Sequence, residues 1–158
     1  MKDKNILFMK QAIVMAESGM NSNAGGPFGA VIVKGGKIIA KGYNQVTSTN
    51  DPTAHAEIVA IRHATQRLNS FQLDECILYT SCEPCPMCLG AIYWARIQKV
   101  YFACNKKDAE RINFDDQFIY KELDKDIQKR SVKFIPLMRE EGLNVFEKWH
   151  QKNDKTTY

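Results

Sequence analysis

Apolar residues at the start of the chain fall at helical spacing. Ile6, Met9, Ile13 and Ala16 predict a first helix, ended by Gly19 and the polar run Asn21–Ser22–Asn23. After the breaker Gly25-Gly26-Pro27, the apolar run from Phe28 to Lys34 reads as a strand. Gly35-Gly36 separates it from a second run, Lys37 to Tyr43, and the pair signals a hairpin. Residues 44–53 are polar, and Thr53 is expected to N-cap a helix running through Ile58, Ile61 and Leu68. Glu75 to Thr80 reads as a third strand. A tight loop from Ser81 to Pro86 then opens a helix through Met87, Leu89, Ile92, Tyr93 and Ala95, and Lys99 to Ala103 is a fourth strand.

Strands three and four flank a helix, so they pair in parallel through a right-handed crossover. Beyond Asn105 the pattern weakens. Phe114, Phe118, Ile119 and Leu123 suggest short helical pieces. Val132-Lys133-Phe134-Ile135-Pro136 predicts an edge strand, where proline is tolerated. Leu143, Phe146 and His150 mark a last helix. The expected fold is α/β: a three-layer α/β/α sandwich around a mixed central sheet of about five strands. It forms one domain over residues 1–158.

Composition narrows the class. With 44% hydrophobic and 25% charged residues, disorder and coiled coil are excluded. No apolar run approaches the ~18 residues of a membrane span, so no membrane partner is expected. The first residues carry no secretory pattern, which makes the cytoplasm the expected compartment. The net charge of +4 comes from 22 basic residues scattered among 18 acidic ones, a weak case for nucleic acid as partner.

The five cysteines change the picture most. Cys76, Cys82, Cys85 and Cys88 cluster, and Cys104 follows. An odd number in a reducing compartment argues for metal or thiol chemistry over a disulfide framework. Cys76 and Cys104 lie in or beside strands and read as small core residues. Cys85 and Cys88, three apart at a helix start, turn both sulfurs to one side. The helix N-terminus there favours thiolates. Pro86 suits a first turn. Upstream, His55 and Glu57 form H-x-E, and together the two segments make the zinc-deaminase signature. His55, Cys85 and Cys88 supply three ligands and leave one zinc position open, the catalytic pattern, with Glu57 as proton carrier. Cys82 as a fourth ligand would close the site, and a non-enzymatic zinc module remains the rival from another class. Residues two apart point in different directions on a regular helix, so His55 and Glu57 can share a site only off the helix N-terminus.

Three segments carry a resemblance: Gly25-Gly26-Pro27-Phe28-Gly29-Ala30-Val31, Asn50-Asp51-Pro52-Thr53-Ala54-His55-Ala56-Glu57, and the run from Tyr79 to Arg96. With Phe114-Asp115-Asp116-Gln117-Phe118-Ile119-Tyr120, they make the chain resemble bacterial guanine deaminases of the cytidine deaminase superfamily. The resemblance implies one zinc ion per subunit and conversion of guanine and water to xanthine and ammonia. Zinc-bound hydroxide attacks C2, and Glu57 shuttles the proton. It further implies that Phe28 and Trp94 sandwich the base, that Asn44 and Asp116 read its edges, and that Tyr158 closes the pocket. The C-terminal segment, roughly residues 130–158, would exchange between the subunits of a homodimer. Within the same superfamily, a tRNA adenosine deaminase and a cytosine deaminase are the competing readings.

Overall fold

The alternation of strand residues builds the core. In β1 (Gly29–Lys34), Ala30 and Ile32 turn to one face of the sheet while Val31 and Val33 turn to the other. All four are buried, so this strand has protein on both sides.

A computed structural model describes residues 2–158, Lys2 by its backbone alone. The elements run in order α1 (Lys2–Asn21), β1, β2 (Lys37–Tyr43), α2 (Val46–Thr49), α3 (Ala56–Leu68), β3 (Ile77–Cys82), α4 (Pro86–Trp94) and β4 (Lys99–Cys104). They continue with α5 (Lys106–Glu110), α6 (Gln117–Leu123), a 3-10 turn (Ile127–Lys129) and α7 (Arg139–Gln151). The sheet order is β2-β1-β3-β4. β1 pairs antiparallel with both neighbours, and β3 and β4 are parallel, as the intervening helix requires.

Helices cover both faces. Ala56, Ala60 and Ala64 of α3 and Ile92 of α4 pack with Ala30, Ile32 and Leu78 on one side. Ala12 of α1 packs with Val31, Val33 and Tyr79 on the other. Two glycines let backbone touch backbone. A Cβ on Gly29 would lie 2.3 Å from Ala12 O and Ala16 N of α1. A Cβ on Gly42 would lie 2.4 Å from Ala56 O and 2.6 Å from Ala60 N of α3. The hairpin of β1 and β2 is thus gripped from both faces at one end, where Gly29 pairs with Tyr43 and Ala30 with Gly42.

Four expectations need correction. Among the described residues the sheet has four strands, not about five, because residues 132–136 pair with no strand there. An unpaired segment has no ladder to satisfy its backbone. β3 runs later than expected, from Ile77 through Cys82. Thr53 does not cap α3: Asp51 Oδ1 accepts from Thr53 N at 2.8 Å and from Thr53 Oγ1 at 2.6 Å, making a local turn instead. Cys104 is exposed rather than core, since β4 is the outer strand of the sheet and is covered little.

The chain divides into two compact units, one ending at Asp116 and the other running from Gln117 to Tyr158. In the second, Glu122 accepts from Ser131 N at 2.7 Å and Ser131 Oγ at 2.9 Å, and pairs with Lys125. None of its residues is buried. No helix among the described residues is long and apolar enough to cross a membrane.

Candidate functional site

Two helix starts converge on one point. His55 is the N-cap of α3, with extended backbone at φ −68° and ψ 156°. Cys85 is the N-cap of α4 in nearly the same conformation, φ −67° and ψ 169°, and Pro86 opens the helix behind it. Neither side chain caps its own helix, so both project freely. The spacing difficulty is thereby resolved. His55 sits outside the helix while Glu57 lies in its first turn, so the two do not obey the i, i+2 divergence of a regular helix.

The ligand atoms are close. Cys85 Sγ lies 3.5 Å and Cys88 Sγ 3.6 Å from His55 Nδ1, and all three atoms fall within 4.8 Å of one another. Glu57 is 6% exposed and sits beside them. Its Oε1 accepts from Thr80 Oγ1 at 3.2 Å, and its Oε2 accepts from Cys88 Sγ at 3.5 Å. Thr80, buried in the middle of β3, is a participant that the H-x-E and P-C-x-x-C motifs miss. Its only sequence signal is a hydroxyl among the apolar residues of a strand.

Electrostatics follow from this packing. Cys85 is pulled down to about 4, first by the hydrogen bond from Cys88, with His55 adding to it against the cost of burial. Cys88 is pushed up by that same bond, then by burial. His55 is raised, led by its bond to Cys85. Burial holds the Glu57 carboxyl above its ordinary value, and the Cys85 charge adds to this. One imidazole and two sulfurs form a donor set that suits zinc, and three protein ligands leave a position open. Cys82 stands apart from this set. Its thiol donates to Asn105 O at 3.8 Å, and burial pushes it up to about 12.

The remaining predicted residues are placed as follows. Asn44 is buried, and its N–H donates to Phe28 O at 3.0 Å, prolonging the β1–β2 ladder. Gln45 N then donates to Ala54 O at 2.9 Å, tying this segment to the entrance of α3. Asn44 Oδ1 accepts from Val46 N at 3.1 Å. Gly25 is required beside it, since a Cβ there would lie 2.0 Å from that oxygen. The half-buried Phe28 ring meets Phe114 edge to face at 4.9 Å. Asp116 is half-buried and raised, first by burial and next by the Cys85 charge. Trp94 ends α4 and is 65% exposed. Tyr158 belongs to the second unit and is 72% exposed.

A profile of the cytidine and deoxycytidylate deaminase zinc-binding region matches residues 2–104. Guanine deaminase of Bacillus subtilis is 55% identical over 151 residues, covering 96% of this chain and 97% of that protein. The X-ray structure of guanine deaminase from Bacillus subtilis superposes with a TM-score of 0.94 at 55% identity, covering 96% of this chain and 97% of that one. A tRNA-specific adenosine deaminase of Aquifex aeolicus is 51% identical over 81 residues, covering 51% of this chain and 54% of that protein.

Proposed function

The chain belongs to the cytidine and deoxycytidylate deaminase family, and we propose that it hydrolyses guanine to xanthine and ammonia with zinc as its cofactor. The observation that carries this reading is the reach of the likeness. Identity to a guanine deaminase is 55% over 96% of the chain, whereas tRNA-specific adenosine deaminases reach 51% identity over 51% of it in one case and 41% over 70% in another.

His55 Nδ1, Cys85 Sγ and Cys88 Sγ would hold the metal. Zinc bound there supplies Lewis acidity, which brings the pKa of a water to roughly 7. Glu57 moves the protons. Thr80 anchors Oε1, and Oε2 is released once Cys88 gives up its proton. Oε2 then takes a proton from the attacking water and passes it to a ring nitrogen of guanine, and afterwards takes the second proton of that water, now the hydroxyl on C2, and delivers it to the departing amino group. The C–O bond forms at C2 first, the C–N bond breaks when the amino group is protonated and leaves as ammonia, and the carboxylate is restored. Burial raises its pKa above the ordinary carboxyl value, which favours a group that both takes up and returns a proton.

The base is held by Phe28, Asn44, Trp94, Asp116 and Tyr158. Phe28 and Trp94 offer ring faces. With Oδ1 of Asn44 committed to Val46, its Nδ2 is left to donate to a purine acceptor. The Asp116 carboxylate accepts from purine N–H groups. Tyr158 acts in a homodimer that exchanges its C-terminal segments. The support for exchange is that residues 117–158 bury nothing, while Ile135, Leu137 and Phe146 are 82%, 85% and 72% exposed. Removing Tyr158 is expected to raise KM for guanine with little change in overall fold, and an unchanged KM denies the tail that role.

The deciding experiment is ammonia release by zinc-loaded protein from guanine, adenine, cytosine and a tRNA anticodon stem-loop. Guanine is expected to be the preferred substrate. Activity on the RNA alone would overturn the reading.

A further inference from the structure

The five cysteines divide in space as 2, 1 and 2. Cys85 and Cys88 belong to the metal cluster. Cys76 is buried among core residues at 1% exposure. Cys82 and Cys104 remain, and the sheet sets them side by side: they are register partners at the ends of the parallel strands β3 and β4. Register partners project to the same face of a sheet. Neighbouring strands run about 4.7–4.9 Å apart, inside the Cα separation of about 4.4–6.8 Å that a disulfide spans. The pair ends the strands just before the loop that carries Cys85, and the backbone bond from Glu83 N to Cys104 O (2.8 Å) holds the two chains together there.

The two thiols are unequal. Cys104 is exposed and open to a reagent in solution. Cys82 is buried, 7% exposed, with only the long 3.8 Å bond to Asn105 O holding its proton. An accessible thiol beside a sheltered one is the arrangement in which the first forms the mixed disulfide and the second resolves it.

We infer that Cys82 and Cys104 form a redox-active dithiol that closes to a cross-strand disulfide on exchange with small-molecule disulfides of the glutathione type. In the first step the Cys104 sulfur attacks one sulfur of the small disulfide. The S–S bond breaks, a mixed disulfide forms on Cys104, and one small thiol leaves with the Cys104 proton. In the second step the Cys82 sulfur attacks Cys104 Sγ, the mixed disulfide breaks, and a second small thiol leaves with the Cys82 proton. Two protein thiols are oxidised and one small disulfide is reduced to two thiols. Burial makes Cys82 a slow nucleophile, and its fixed place beside Cys104 offsets this by making the second step intramolecular.

The test uses zinc-loaded protein incubated with glutathione disulfide, blocked with an alkylating agent, and analysed by intact mass and non-reducing peptide mapping. The expected product has lost two hydrogens, carries no glutathione, and maps to a Cys82–Cys104 linkage that dithiothreitol reverses. Cys104→Ser, an exposed change that leaves the fold intact, is expected to give neither bridge nor adduct. Cys82→Ser is expected to trap one glutathione on Cys104. A wild-type protein that keeps a stable glutathione on Cys104 as the Cys82→Ser variant does, that bridges Cys85 to Cys88 instead, or that does not react overturns the inference.

Discussion

The unit that ends at Asp116 and the unit from Gln117 to Tyr158 carry apolar residues in comparable patterns but use them differently. In the first, alternation along β1 finds a helix on each face, and residues such as Ile32, Val31 and Leu78 are fully buried. In the second, the helical spacing of Leu143, Phe146 and His150 is realised as α7, but Phe146 is 72% exposed. Periodicity specifies an element, and burial also needs a second surface. The lesson for the site is that His55, Glu57, Thr80, Cys85 and Cys88 all hang from the unit with an interior.

The contrast can be broken most severely at the carboxylate. Glu57→Gln keeps the size and the Thr80 contact but cannot carry the proton, so turnover is expected to fall by at least ~10²–10⁴-fold while zinc content and circular dichroism stay unchanged. Near-normal turnover in that variant would remove Glu57 from the chemistry.

Two glycine substitutions probe the two units directly. Gly42→Ala drives a methyl into the backbone of α3 and is expected to cost about 1–3 kcal/mol in denaturant unfolding. Activity should drop with it, because α3 carries Glu57. Gly142→Ala lies in α7, where an added Cβ meets nothing within 4 Å. It is expected to stabilise by up to ~1 kcal/mol through helix propensity. If Gly142→Ala instead destabilises, that face of α7 is covered by another subunit in solution, which sharpens the case for exchange.

The smallest effect is a titration. Glu122 is held down to about 2, first by Lys125 and then by the Ser131 N–H and hydroxyl. Its folded pKa lies below the unfolded value, so its contribution is present above that ordinary carboxyl value and is lost as pH falls through about 2. The Glu122 side chain is half-buried and its Lys125 partner is exposed, so the gain is local and modest. Following the Glu122 carboxyl and the Ser131 amide by NMR should give one shared low midpoint, and an ordinary carboxyl midpoint would show that the turn does not persist in solution.

Legibility in the sequence followed the distance over which each feature is made. H-x-E and P-C-x-x-C were readable because each is local and each opens a helix. The four strands of the first unit were readable to within about two residues, since alternation and glycine turns are local signals. Thr80 was not, because its partner Glu57 is 23 positions away and the contact exists only once α3 packs on the sheet. Thr53 was misassigned as a cap since Asp51, two residues before it, competes for the same backbone. The fifth strand failed because pairing is a property of two segments. Cys104 was misread for the related reason that a strand's place at the edge of a sheet is not written in its residues.

The close approach at Gly42 has a consequence for fluctuation. Helix ends ordinarily fray, and their amides exchange with solvent through small local openings. The first turn of α3 is different, because Ala56 O and Ala60 N lie against β2 with no side chain between. That turn can open only by lifting the helix off the sheet. The hydrogen-bonded amides there, those of Val59 and Ala60, should therefore exchange slowly, and Glu57 rides on a turn held against the sheet rather than on a flexible loop.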